Sequence, residues 1–205
     1  MKTILSVDFD IIMEPSIQFY NGMVPQLHWD IITKDNAYGN LLIGDYNTYA
    51  KITDYLLKLT KKLPKEKIHF IQTHETINKF LDKNEKYNVI NIDHHHDRGY
   101  NDRVNPIKNQ ELNCSNWVNF IQNLTDYYWI CNENSEILTD EVGYIRRTNI
   151  KDCDLNKLPT PDELFICFSM PWIPPNNQPL FYSWLDIFNA IYNTRFEFEE
   201  ENLRG

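Results

Sequence analysis

The chain has 205 residues, of which 42% are hydrophobic, 14% aromatic and 24% charged. That profile excludes a disordered tail, a collagen and a small disulfide scaffold, and the length suits one domain able to bury its own core. Twenty basic against 29 acidic residues leave a formal net charge of -9, which disfavours nucleic-acid phosphates and anionic lipid as partners and tolerates a cationic substrate.

Thr3 to Phe9 is an apolar run that reads as a buried strand. Asp8 and Asp10 cut it short, so it is neither a secretory h-region nor a span of about 20 apolar residues. Cys114, Cys131, Cys153 and Cys167 form no CxxC pair, so neither a zinc knuckle nor a thioredoxin-like site is indicated. The protein is expected in the cytoplasm with reduced thiols, away from membranes.

Residues 14–44 carry Pro15, Pro25, His28, Trp29 and Tyr38 and are long for a plain connection, so a hairpin or a loop covering a site is expected. Asp45 to Lys62 has apolar residues at helical spacing, with Asp45 or Asn47 as the cap. Lys67 to Gln72 reads as a second strand, Glu75 to Lys83 as a helix, and Tyr87 to Ile92 as a third strand. Cys114 to Asn123 is expected to be helical and Tyr127 to Cys131 to be a strand, before a polar, irregular stretch from Asn132 to Pro161. Leu164 to Phe168 is a fifth strand, Leu180 to Tyr192 an aromatic-rich helix, and residues 197–205 an acidic tail. Strands alternating with helices predict an α/β fold over 1–205, a single domain with a parallel sheet covered on both faces.

In such a sheet, functional groups gather at the carboxyl ends of the strands. Three predicted strands end in Asp8-Phe9-Asp10, in His74, and in Asp93-His94-His95-His96-Asp97. Their convergence supplies six candidate ligands: Asp8, Asp10, His74, Asp93, His95 and Asp97. Four carboxylates at short range repel one another, and two divalent cations neutralise them. Oxygen-rich ligation with two imidazoles suits manganese, with iron or cobalt as substitutes. His94 and His96 alternate with His95, so in an extended segment they point away as supporting or packing groups.

Asp93-x-His95-x-Asp97 resembles the DxHxD motif of the ureohydrolases, the arginase and agmatinase group, and Ser6-Val7-Asp8-Phe9-Asp10 resembles their SxDxD motif, with Pro15 following. In ordinary arginases SxDxD comes late, and here it comes first in a much shorter chain. Those departures, with Asp93 to Tyr100 and Asn113 to Trp117, are similar to the compact, permuted branch that includes the peptide arginases.

The resemblance implies a small arginase-like three-layer sandwich with a mainly parallel sheet and rearranged strand order. It implies two Mn²⁺ ions, one on His74, Asp93, Asp97 and Asp8, the other on His95, Asp93, Asp8 and Asp10. The implied activity turns arginine in a precursor peptide, the expected partner, into ornithine and urea. Asp10 would protonate the departing amine. The alternatives are a small-molecule guanidino ureohydrolase, a metal-dependent deacylase of the same superfamily, and a non-catalytic peptide-binding relative.

The family's downstream proton-shuttling histidine has no counterpart here, because no histidine follows His96. His28 is its candidate replacement, or else a packed or solvent-facing group. Glu14, Asp30, Glu75 and Glu141 are candidates to grip a guanidinium. Asn116 and Trp117 either position substrate or serve a helix cap and the core. Met170 to Pro175 either rims the same edge as a rigid wall or packs.

Overall fold

The computed structural model describes residues 1–12, 44–99, 110–133, 135, 145–173, 175 and 177–199. Residues 14–43, with Glu14, His28 and Asp30, lie outside them, as do Tyr100, Glu141, Pro174 and residues 200–205 of the acidic tail.

Seven strands form one sheet: β1 (Lys2–Asp8), β2 (Ile68–Ile71), β3 (Tyr87–Ile92), β4 (Leu124–Cys131), β5 (Arg146–Asn149), β6 (Glu163–Cys167) and β7 (Phe198–Glu199). Their order is β5-β4-β3-β1-β6-β2-β7, and every pairing is parallel. All carboxyl ends therefore lie on one edge. β1 is central, flanked by β3 on one side and β6 on the other. The chain leaves β1 for β2 on the second side and then crosses to β3, β4 and β5 on the first, with β6 inserted later between β1 and β2, so the β1 terminus sits where α/β sheets form their crevice.

The alternation of side chains sorts the sheet into two different faces. Leu5, Val7, Ile68, Phe70, Ile90, Ile92, Leu164 and Ile166 join one core cluster, which also takes in both long helices. Helix α1 (Tyr46–Leu59) buries Ile52, Tyr55, Leu56 and Leu59, and α2 (Gln178–Tyr192) buries Phe181, Trp184 and Phe188. Both sets recur every three or four residues, one helical face each. Asp45 caps α1 by accepting from the backbone N–H of Asn47 and Thr48. Asn193 closes α2 in the left-handed conformation, φ 47°, which asparagine tolerates better than most residues. Phe9 meets Phe181 and Trp184 edge-on, with centroids 5.3 and 5.0 Å apart. Each such buried side chain is worth about 1.5–3 kcal/mol.

The opposite face carries Ile4, Val89, Trp129, Phe165 and Cys167, packed with Ile77, Trp117 and Val118. No α-helix lies there among the described residues. The expected helices over Glu75–Lys83 and Cys114–Asn123 are instead short 3₁₀ turns, His74–Lys79 and Trp117–Phe120. Both stretches are rich in Asn, Thr and Ser, whose side chains compete for backbone groups and lower helix propensity. Sheet, helical layer and a layer of turns make the three-layer α/β sandwich. β5 and β7, both short edge strands, fall in stretches expected to be irregular or tail.

Ile12 and Gly44, which bound residues 13–43, come together: the Asp45 N–H donates to the Ile12 carbonyl at 2.6 Å. A Cβ on Gly44 would come within 3.1 Å of that same carbonyl oxygen, so glycine permits the approach. No helix among the described residues is long and apolar enough to cross a membrane.

Candidate metal centre

The face without α-helices presents Ser6 and Asp8 from β1, Asn91 from β3 followed by Asp93, and Cys167 from β6. A period of two puts each pair on the same side, and the register sets Ser6 beside Asn91 and Asp8 beside Cys167. The turn after β2 adds His74, and the segment after β3 adds His95 and Asp97. All six residues expected as ligands are brought to one place.

They form two half-sites. In the inner one, His74 Nδ1 lies 2.8 Å from Asp97 Oδ2, 3.5 Å from Asp93 Oδ2 and 3.6 Å from Asp8 Oδ2. In the outer one, His95 Nδ1 lies 2.9 Å from Asp10 Oδ2 and 3.8 Å from Asp93 Oδ1. Asp93 therefore turns one oxygen to each histidine. The His74 side chain is 2% exposed and that of His95 is 32% exposed.

Each carboxylate is oriented by donors from outside the cluster. Ser169 Oγ donates to Asp8 Oδ2 at 2.7 Å, and the Asp10 N–H donates to Asp8 Oδ1 at 3.1 Å. Asn91 Nδ2 donates to Asp93 Oδ2 at 3.0 Å and the His95 N–H to Asp93 Oδ1 at 2.7 Å. Trp117 Nε1 donates to Asp97 Oδ2 at 2.5 Å. The His94 N–H donates to Asp10 Oδ1 at 3.2 Å. Ser6 Oγ lies 3.1 Å from His74 Nε2, which leaves Nδ1 facing the carboxylates. Asp97, a member of the inner half-site, and Ser169, which donates to Asp8, adopt left-handed backbone, φ 50° and 46°.

Electrostatically the cluster crowds four carboxylates around two imidazoles. Burial, and then the neighbouring Asp10, push Asp8 up to about 7. Burial and the charges of Asp97, Asp10 and Asp8 raise Asp93 well above the carboxylate range. Burial opposes protonation of His74, yet Cys167, Asp8 and Asp97 outweigh it and raise its pKa well above 6.5. Burial likewise opposes His95, and Asp10 outweighs it, giving about 9. Two carboxylates 4 Å apart repel by roughly 4 kcal/mol at an effective dielectric of 20. Bound protons answer that repulsion in part, and a cation answers it better.

Asp10 Oδ2, buried and without a hydrogen bond of regular geometry, is an acceptor left for such a cation. Asp10–Asp93–His95 and His74–Asp93–Asp97 each place their donor atoms within 4.8 Å of one another, as does Asp8–His74–Cys167. The donor set fits a metal ion.

Some expected roles fall elsewhere. Burial raises the pKa of Asp10, but His95 overcomes this and holds it at about 2, so Asp10 is anionic in the metal-free cluster. Trp117 is fully buried with its N–H spent on Asp97, and Asn116 staples its own loop, accepting from the Asn113 N–H at 2.8 Å and donating to the Glu111 carbonyl at 2.8 Å. The structure gives both of these residues supporting work instead of a place to meet substrate. His96 is buried against Trp129, its Nδ1 accepts from the Arg98 N–H at 3.1 Å, and burial lowers its pKa to about 4. That is a packing place, whereas the His94 ring centroid lies 4.9 Å from that of His95 and so is not turned away as expected, because the chain bends at residues 93–95 instead of running extended. Glu75 follows His74 in its turn. Burial and Glu75 raise the Cys114 thiol to about 12.

Ser169, Asn91 and Cys167 carry no sequence motif of their own. Asn91 and Cys167 were reachable by counting in steps of two along β3 and β6, whereas the Ser169–Asp8 bond joins residues far apart in the chain. Cys167 is fully buried and burial first of all pushes its thiol up to about 11, so it stays neutral. A cavity of about 510 Å³ between Asn88, Tyr128, Arg146 and Leu158 lies toward the amino ends of the strands, away from this cluster.

No family model, no curated protein and no solved structure matches the chain. Its fold and cluster define an α/β protein with a buried group of aspartates and histidines able to hold a metal ion.

Proposed function

We propose that the chain is a binuclear manganese hydrolase that removes urea from arginine side chains in a peptide, leaving ornithine. The observation that carries this reading is Asp93, which turns its two oxygens to two different histidine-carboxylate half-sites. The resemblance of Ser6–Asp10 and Asp93–Asp97 to the ureohydrolase motifs supplies the reaction class.

On this reading His74, Asp97, Asp93 and Asp8 would hold the inner ion, and His95, Asp10, Asp93 and Asp8 would hold the outer one. Such a pair supplies an ionised water near neutral pH and a field that stabilises developing negative charge. Four carboxylates against two divalent ions bring the centre to neutrality, so oxygen-rich ligation suits manganese without trapping excess charge. The protein's own work is to hold these groups still. Ser6 fixes which nitrogen of His74 faces the ions, and Asn91, Ser169 and Trp117 fix three carboxylates. In the reaction, water adds across the guanidinium. The bond from carbon to the side-chain nitrogen breaks, that nitrogen takes up a proton as the ornithine amine, and urea carries the new oxygen.

The test is a urea assay on manganese-loaded protein with a blocked peptide containing one arginine, beside free arginine. Urea from the peptide is the expected result. Urea from free arginine alone would retain a guanidino ureohydrolase and remove the peptide claim. Urea from neither would remove the activity.

A further inference from the structure

Beyond the ligands, the rings of His94 and Trp172 flank His95 at the open half of the centre, and the indole is the larger. Trp172 is partly exposed and its ring centroid lies 5.7 Å from that of His95, tilted by 57°. It belongs to a 3₁₀ turn, Met170–Trp172, that follows β6 and contains Pro171.

The turn is tied to the metal cluster itself. Ser169 donates its N–H to the Gln72 carbonyl at 3.2 Å and its hydroxyl to Asp8 at 2.7 Å, while the Trp172 N–H returns to the Ser169 carbonyl at 2.8 Å. Ile173, fully buried, pins the far side. The left-handed backbone at Ser169 makes the chain reverse there. One residue thus orients an inner ligand and starts the turn that carries the ring.

We infer that Trp172 is the substrate-positioning residue of the proposed reaction, stacking its indole against the planar guanidinium of an arginine side chain at the His95 half of the centre. This rests on the function proposed above. An anionic side chain at that mouth attracts a guanidinium, but it also competes for the ions. An indole face attracts a planar cation through its quadrupole and has no lone pair to offer a metal. A guanidinium lying flat on the ring has one face covered and leaves the other open. A nucleophile must approach that trigonal carbon perpendicular to its plane, so stacking also orients the reacting atom.

The experiment compares the manganese-loaded wild type with Trp172→Phe and Trp172→Ala. The probes are three blocked peptides that differ at one position: arginine, its neutral isostere citrulline, and lysine. Calorimetry reads binding, the urea assay reads KM and kcat, and elemental analysis reads metal content. The wild type is expected to prefer the arginine peptide over both others. Trp172→Ala should weaken arginine-peptide binding and raise KM by about tenfold, a loss in the range of a desolvated cation–π contact, with metal content intact. Trp172→Phe, which keeps a ring face, should recover most of it.

Unchanged arginine-peptide affinity in a metal-replete Trp172→Ala overturns the inference and leaves the activity standing. So does an equal loss for all three peptides, the mark of a packing role. Trp172-dependent arginine binding without urea sustains the subsite and removes the proposed reaction. A wild type that binds none of the peptides overturns the subsite directly.

Discussion

The two halves of the centre meet at Asp93, which turns one oxygen to each histidine, and they differ in their surroundings. The inner half is sealed: His74 is 2% exposed, three carboxylates surround its Nδ1, and Trp117, Asn91, Ser169 and Ser6 hold the ring and the oxygens from behind. The outer half is open: His95 is 32% exposed, faces Asp10 and Asp93, and is flanked by Trp172 and His94. Side chains locked by buried hydrogen bonds lose little further freedom when an ion arrives, so the inner half is the preorganised one. On the proposed function, an exchangeable position and a substrate approach belong with the outer half, and a closed structural role and an open chemical role divide between two histidines.

The largest effect should come from the residue both halves share. Asp93→Asn removes an anionic bridge from two half-sites at once. Elemental analysis should find both ions lost, with affinity falling by more than the ~10–100-fold typical of removing an outer hydrogen-bond partner. The single-histidine variants then separate the halves. His95→Ala should retain one equivalent of manganese, because the inner donors remain intact. His74→Ala should empty the inner position and weaken the outer one as well, since Asp97 and Asp93 then face each other without a neutralising group. If His95→Ala emptied both positions and His74→Ala only one, the assignment of inner and outer would be reversed.

Next in size is the cost of acid. The metal-free protein holds protons on His74, raised well above 6.5, and on His95, raised to about 9, while Asp8 titrates near 7. Metal binding requires these groups deprotonated, so it expels protons and weakens as pH falls. The steepest loss of affinity on acidification is expected from about 9 downward, through the His95 and Asp8 values. Calorimetry of Mn²⁺ binding in buffers of different ionisation enthalpy should report net proton release at pH 7. Absence of proton release would show that the imidazoles are already neutral in the metal-free state.

What the sequence shows of this arrangement follows from where its signals are local. β3 is legible to the residue as Tyr87–Ile92 because it is a short apolar run between polar boundaries. Asp45 is legible as a cap because its acceptor sits beside the first turn it serves. The six ligands are legible because each ends or closely follows a strand, and parallel strands end on one edge. The 3₁₀ turns at His74–Lys79 and Trp117–Phe120 mimic helices in spacing, since apolar residues three apart suit either. β5 is four polar residues, Arg-Arg-Thr-Asn, at a sheet edge, and offers no apolar period to read. β7 hides in an acidic tail, though Phe198 stacks on Phe168 and Phe181. The supporting bonds escape altogether. Trp117 reaches Asp97 across 20 residues and Ser169 reaches Asp8 across 161, and only the folded topology brings either pair together.

Those two bonds also give the finest test of the division between halves. Trp117→Phe removes the N–H on Asp97 and part of a fully buried ring, so it should lower both stability and inner-site metal affinity, the latter by about 10-fold or more, and leave KM for substrate near its original value. Ser169→Ala removes the hydroxyl on Asp8, a bond to a charged group worth about 1.5–3 kcal/mol, and does so at the residue that starts the Trp172 turn. It should therefore lower metal affinity by about tenfold or more and raise KM with it, the change in KM being smaller than that of Trp172→Ala. Ser169→Gly relieves the positive φ at the same time as it removes the hydroxyl. A glycine variant with a KM higher than that of the alanine variant would show that the rigid reversal places the ring. Equal KM values in the two would assign the effect to Asp8 alone. If Ser169→Ala moved metal affinity without moving KM, the Trp172 turn would be independent of the Ser169–Asp8 bond.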